Sequence, residues 1–388
     1  MNEPAEPGGD FDKRQKMGKE RCKMKRKAKP TRREFIEGAV VAGAAFAFAG
    51  WAKGGETNSG NGNGDSQKPL VTDAIGQPDE GVCSWVGFSP VNDQAAFVAG
   101  APGETSLYIT RAGRPDSFNV LWEPEFNLSV IHACAWSPNG KEIAFLVQAG
   151  DEKKNSKSGR VSIFVADVAS GAAREPMVIA EITNGKSRRL KNVSYKKNIS
   201  WWNNACVCVP TDKGREILKF DTHTGRHETL VKIPNDMTVS NLALARNGEL
   251  RFIKYRKLEG QKCGRFLLSG MKQDGTVVEY GELSEQLGQI FNARLSQDGE
   301  YVFAEKHGEA PKSMPMLVPR ENLIYKIGTR SVIGQIPVMI NTRDDIYYYL
   351  PMAVRNDNEL VAIEMVSLAV DGSQTERNHR SRAVKVAL

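Results

Sequence analysis

The stretch Ala135-Trp136-Ser137-Pro138-Asn139-Gly140-Lys141-Glu142-Ile143-Ala144-Phe145 decides the fold of this chain. An apolar segment ends at Trp136, a polar tight turn follows, and a second apolar segment starts at once after Glu142. Asn-Gly between two such segments is among the strongest short hairpin signals. The favoured two-residue turns need φ > 0 at both central positions, which Gly reaches without a Cβ clash. The reading is a β-hairpin with its tip at Asn139-Gly140.

Working outward, the turn recurs at Pro90-Val91-Asn92-Asp93, Asn203-Asn204, Asn247-Gly248, Asp298-Gly299 and Asn356-Asp357-Asn358. Anchors at 93, 139, 204, 247, 298 and 357 stand 46, 65, 43, 51 and 59 residues apart. Units of about 53 residues match one four-stranded blade each. Strands that begin with a charge and turn apolar follow the turns, at 142–147, 249–253 and 300–304. Third strands then end in glycine turns of their own, at Ser170-Gly171, Thr224-Gly225 and Asp274-Gly275. Four strands and two glycine turns per unit predict an all-β fold, a β-propeller of six four-stranded blades.

The 135–145 stretch resembles the WD-like repeat of TolB-like six-bladed propellers, whose core reads W-S-P-D-G-x-x-I-A-F. Phe88-Ser89-Pro90 and Leu295-Ser296-Gln297-Asp298-Gly299 are weaker copies, and the other three units keep the turn without Ser-Pro. The resemblance spans about residues 82–388 and rests on Trp136, Ser137, Pro138, Gly140, Asp298 and Gly299. It implies a fold and no activity. Trp136 and Phe88 are expected to pack between blades, with Ser-Pro shaping the approach to the turn.

The first 37 residues hold 12 Lys/Arg and 7 Asp/Glu, whereas the other 351 hold 41 and 39. The basic character therefore belongs mostly to a leader, and the near-neutral body offers no electrostatic case for binding nucleic acid. Thr31-Arg32-Arg33-Glu34-Phe35-Ile36 resembles the twin-arginine export signal, with Arg32, Arg33 and Phe35 as its recognised residues. Thr31 replaces the commoner Ser, and Glu37 stands where Lys is usual. The apolar run 38–49 is too short to span a bilayer but suits a signal peptide, and Ala47-Phe48-Ala49 fits its cleavage site. No Cys follows that run, so no lipid anchor is expected. The resulting division is a signal peptide at 1–49, a flexible Gly/Asn/Ser linker at 50–68 and a propeller at 69–388. The twin-arginine translocase would be the partner during export, leaving the product periplasmic or secreted with no stable membrane anchor.

Dedicated chemistry is sparse. Five Cys follow the leader (Cys83, Cys134, Cys206, Cys208 and Cys263), and Cys206 and Cys208 share one strand face, where a disulfide does not form easily. They read as buried and inert. His223 and His227 flank a strand turn rather than one helix face, so no metal site is assigned. No G-x-S-x-G elbow of an α/β-hydrolase is present. Asn184-Gly185-Lys186-Ser187 lacks the first glycine of a phosphate loop, because position 180 is Ala180. The basic run 186–197 reads as a solvated loop or a site for an acidic partner. No cofactor is expected and no catalytic residue is assigned.

These readings favour a non-catalytic exported propeller that binds a protein, peptide or glycan over one face or in its channel. The alternative is an exported polysaccharide lyase or hydrolase with His, Asp, Glu or Arg side chains converging in the channel. The last unit ends one strand short after 383–387. The apolar segment 69–75, with no turn partner of its own, is the candidate to complete that blade.

Overall fold

In blades 1, 2, 3 and 6 the second strand is apolar on both faces, and this organises the molecule. Ala95–Ala99, Ile143–Val147, Val207–Val209 and Val361–Ile363 are buried at every position. A strand sandwiched between two neighbouring sheets reads as a continuous apolar run rather than an alternating one. Outermost strands behave differently. Val277–Glu282 alternates exposed and half-buried residues, because it lies at the rim.

The computed structural model describes residues 71–74, 83–101, 104–111, 114–124, 129–150, 159–183, 186–188, 198–211, 214–258, 264–307, 320–341, 345–355, 359–370 and 373–388. The expected signal peptide and linker, with Arg32, Arg33 and Phe35, lie outside the described residues, as do Cys263, the turn at 356–358 and most of the basic run.

Six antiparallel sheets follow one another in chain order. From the centre outward, blade 1 is Trp85–Phe88, Ala95–Ala101, Glu104–Arg111 and Arg114–Trp122. Blade 2 is Ser129–Trp136, Glu142–Gly150, Gly159–Asp167 and Met177–Thr183, with the short Lys186–Arg188 beyond it. Blade 3 is Ser200–Asn203, Cys206–Pro210, Glu216–Asp221 and His227–Lys232. Blade 4 is Thr238–Leu244, Leu250–Arg256, Arg265–Met271 and Val277–Glu282, and one helical turn, Leu283–Leu287, leads to blade 5. Blade 5 is Ile290–Leu295, Tyr301–His307, Arg320–Lys326 and Ser331–Pro337. Blade 6 is Asp345–Arg355, Glu359–Val370, Ser373–Ala387 and Val71–Ala74, with Met339–Asn341 paired to its inner strand. The chain is thus an all-β propeller of six four-stranded blades.

Val71–Ala74 runs antiparallel to the C-terminal strand, with Val71 opposite Val386 and Ala74 opposite Val384. The second and third strands of blade 6 are longer than the sequence suggests, at Glu359–Val370 and Ser373–Ala387.

The core sits between blades, in six clusters. Ala96, Val98 and Leu107 of blade 1 meet Trp136, Ile143 and Phe145 of blade 2. The same arrangement joins blades 2 and 3, 3 and 4, 4 and 5, and 5 and 6. The sixth cluster packs Cys83, Val86, Ala95 and Phe97 of blade 1 on Val361, Ile363 and Ala383 of blade 6, with Phe88 against it. That last cluster makes the row of blades a ring. Among the described residues, no helix is long and apolar enough to cross a membrane.

Candidate functional site

The signature residues build the turns. The Ser137 backbone N–H donates to Glu142 O (2.8 Å), and Gly140 N–H donates to Ser137 O (2.9 Å). The Ser137 hydroxyl accepts from Glu142 N–H at 2.9 Å and donates to Asn139 Oδ1 at 2.8 Å. Ser296 repeats this, accepting from Tyr301 N–H at 3.0 Å and donating to Asp298 Oδ1 at 2.6 Å. Asp298 is also paired with Arg246 of blade 4 at 3.0 Å. The turn geometry differs from the sequence expectation. Gly140 and Gly299 have φ of +66° and +67°, but neither Asn139 nor Asp298 is left-handed. Pro138-Asn139 forms the turn itself, and the glycine after it resets the strand, because Pro138 holds its own φ near −65°.

Trp136 is buried between blades 1 and 2. Its indole Nε1 has no hydrogen-bond partner among the described residues. Trp201, by contrast, donates from Nε1 to Ala135 O at 2.9 Å and ties blade 3 to blade 2. Cys206 is half-buried and Cys208 buried, both as free thiols. His223 and His227 are exposed, and His227 stacks on Phe220 at 5.2 Å.

The inner strands enclose a cavity of about 190 Å³ on the ring axis, and all six blades line it. Its polar groups are His132 of blade 2, Asn198 and Ser200 of blade 3, Asn241 of blade 4, and Arg294, Ser296 and Gln297 of blade 5. Trp85, Met352 and Phe303 supply apolar walls. Five of the six inner strands carry a bulge, at His132, Trp202, Ser240, Phe291 and Met352. A bulge re-aims a side chain out of the pleat. At His132 and Met352 the bulged residue lines the axis.

Gln297 crosses from blade 5 to blade 1. Its Oε1 accepts from Phe88 N–H at 3.1 Å, and its Nε2 donates to Phe88 O at 3.3 Å. A Cβ on Gly87 would stand 2.4 Å from Gln297 Oε1, so a side chain there would displace this clamp. Asn241 Oδ1 accepts Leu295 N–H at 2.7 Å, which turns its NH₂ into the available group. His132 Nε2 lies 2.9 Å from Gln148 Oε1.

Arg294 is half-buried, directly across from Phe303 and diagonal to Glu305 on the neighbouring strand. Burial lowers its guanidinium pKa to about 10, with Glu305 pulling the other way. Cys134 also lines the cavity, and burial holds its thiol well above the usual range, so it is no thiolate nucleophile. Among the described residues, no three His, Cys, Asp or Glu side chains are grouped as a metal site.

None of Arg294, His132 or Asn241 was singled out from sequence. The signal for Arg294 lay in the repeat. Two residues before the signature serine position (Ser89, Ser137, Ala245 and Ser296), blades 1, 2 and 4 carry Gly87, Ala135 and Ala243 where blade 5 carries Arg294.

Comparison with known proteins finds no matching family model and no matching curated protein. Solved structures with a similar chain path do exist. One is an oligogalacturonate lyase in complex with manganese (8% identity, 76% of this chain and 74% of that one, TM-score 0.40). Another is YCF48 bound to D1 peptide (13% identity, 80% and 84%, TM-score 0.42). A third is the Cps50 (Swd1) β-propeller domain of Myceliophteria thermophila (14% identity, 75% and 96%, TM-score 0.42). The likeness concerns the chain path alone.

Proposed function

We propose that this chain is an exported, TolB-like propeller that serves as a non-catalytic binding or scaffold module for a protein, peptide or glycan. The observation that carries the reading is the axial cavity. Its walls come from inner strands of all six blades, and two of its polar groups, Asn241 and Gln297, are positioned by backbone contacts. Preformed concave sites with a few fixed polar groups suit recognition. The export half rests on Arg32-Arg33-Glu34-Phe35-Ile36 and the short apolar run after it.

Two measurements test it. Cell fractionation of the Arg32→Lys/Arg33→Lys variant is expected to leave full-length precursor in the cytoplasm; unchanged export would remove the twin-arginine assignment. Capture from the cell envelope, with the exported chain as bait, is expected to retain a specific partner or glycan. Turnover of polysaccharide by the purified chain would favour the lyase or hydrolase alternative instead.

A further inference from the structure

We propose that the axial cavity is a carboxylate site in which the Arg294 guanidinium and the Asn241 side-chain NH₂ receive the anion. The inference rests on the binding-module reading and names the chemical class of what that site takes.

Three observations converge. The first is charge. Among the described residues, Arg294 is the cavity's one formal cation and no acidic side chain lines the cavity. Its guanidinium makes no hydrogen bond to a described residue, and Glu305 attracts it only from the diagonal position. A half-buried guanidinium with no acceptor among the described residues is satisfied best by a planar bidentate anion. The low pKa of Arg294 follows from the same burial, and the group stays charged at neutral pH.

The second is the repeat. Gly87, Ala135 and Ala243 show that a small residue suffices at this position in three other blades. The blade therefore does not need an arginine there for its own hydrogen bonding or packing. The third is Asn241, whose carbonyl is held by Leu295 N–H at 2.7 Å. An amide pinned in this way presents donors to the cavity, not an acceptor, and donors suit an anion.

Size narrows the ligand. A cavity of about 190 Å³ holds roughly six waters at ~30 Å³ each. That accommodates one sugar-acid ring or one acidic side chain, and both carry the same carboxylate.

Calorimetric titration of the full chain with D-glucuronate and, separately, with N-acetylglutamate α-amide tests the proposal. D-glucose and N-acetylglutamine amide are the neutral counterparts. At least one acid is expected to bind while its counterpart does not, and which acid binds tells a glycan source from a peptide source. Arg294→Gln should weaken that binding about tenfold or more, and Arg294→Lys should restore part of it. Absence of binding by both acids, equal binding of acid and neutral counterpart, or wild-type affinity in Arg294→Gln would each overturn the site. Should Arg294→Gln fail to fold, the acid-against-neutral comparison on the wild-type chain decides alone. An envelope partner retained equally by wild type and Arg294→Gln would leave the binding module standing and remove the carboxylate site.

Discussion

Gly140 and Gly299 hold equivalent places in two repeats, both left-handed, yet their surroundings differ. Replacing either with Val costs about 1–2 kcal/mol in backbone strain. At Gly140 the new Cβ would meet Val91 Cγ2 at 2.3 Å, the tip of a side chain that is 59% exposed and free to turn away. At Gly299 it would meet Ala245 Cα and N at 3.1 Å, which are backbone and cannot yield. Gly299→Val should therefore lower the melting temperature more than Gly140→Val. Equal and negligible shifts would contradict the turn account. The cysteines make a second residue-scale case. Burial raises Cys83 from 9.0 to about 12, and Cys134 and Cys208 rise as well. From about pH 9 to pH 12 the unfolded chain releases these protons and the folded chain keeps them. The folded state then binds more protons, so stability present below pH 9 is lost as pH rises. At pH 8, iodoacetamide should leave Cys83, Cys134 and Cys208 unmodified in the native chain, with half-buried Cys206 reacting first of the four described cysteines. Mass spectrometry after brief labelling reads this out, and Cys83 reacting as a free thiol would refute it. The described cysteines are free thiols, so a reductant should not move the melting temperature.

Among the elements, the inner strands are where blades are fastened together. Trp201 is almost fully buried, and its indole N–H satisfies Ala135 O across the gap between blades 2 and 3. Trp201→Phe keeps most of the apolar surface but loses the indole N–H bond to Ala135 O that ties the two blades, a loss of about 0.5–1.5 kcal/mol. Chemical denaturation should show that loss with an unchanged slope. Legibility in the sequence follows the same division. Second strands were readable because two buried faces force unbroken apolar runs such as Ile143–Val147. The turns were readable because positive φ at Gly140 and Gly299 strongly favours glycine. The bulges were not, since an extra residue at His132 or Met352 shows only once strand register is known. The axial cavity shared that fate. Its residues come from six distant segments, and each segment also satisfies ordinary strand patterning. Only the Arg294 exception to a Gly/Ala position left a mark on the chain itself.

At the scale of the whole molecule, the question is what closes the ring. Packing closes it once, through the cluster that joins Phe97 of blade 1 to Val361 and Ile363 of blade 6. The Ser381 hydroxyl adds a 2.7 Å bond to Cys83 O, and Gln297 clamps Phe88 from blade 5. Val71–Ala74 adds a different kind of restraint. It covers the outer edge of the C-terminal strand at Val384–Val386 with a segment that precedes blade 1, so the two ends of the propeller share one sheet. Removing that segment uncovers the edge of the C-terminal strand at Val384–Val386 and frees that end of the third strand of blade 6 to fray inward. The six interblade cores form an unbroken circuit, so fraying at one blade weakens both of its neighbours. A chain beginning at residue 66 should therefore melt as the longer protein does, in one cooperative step. A chain beginning at residue 80 should melt several degrees lower and over a broader range, since about 1 kcal/mol corresponds to roughly 2–4 °C in domains of 150–250 residues. Calorimetry on the two truncated chains gives the answer. If they melt at the same temperature, the blade 1–blade 6 core and the Gln297 clamp hold the ring shut without the added strand.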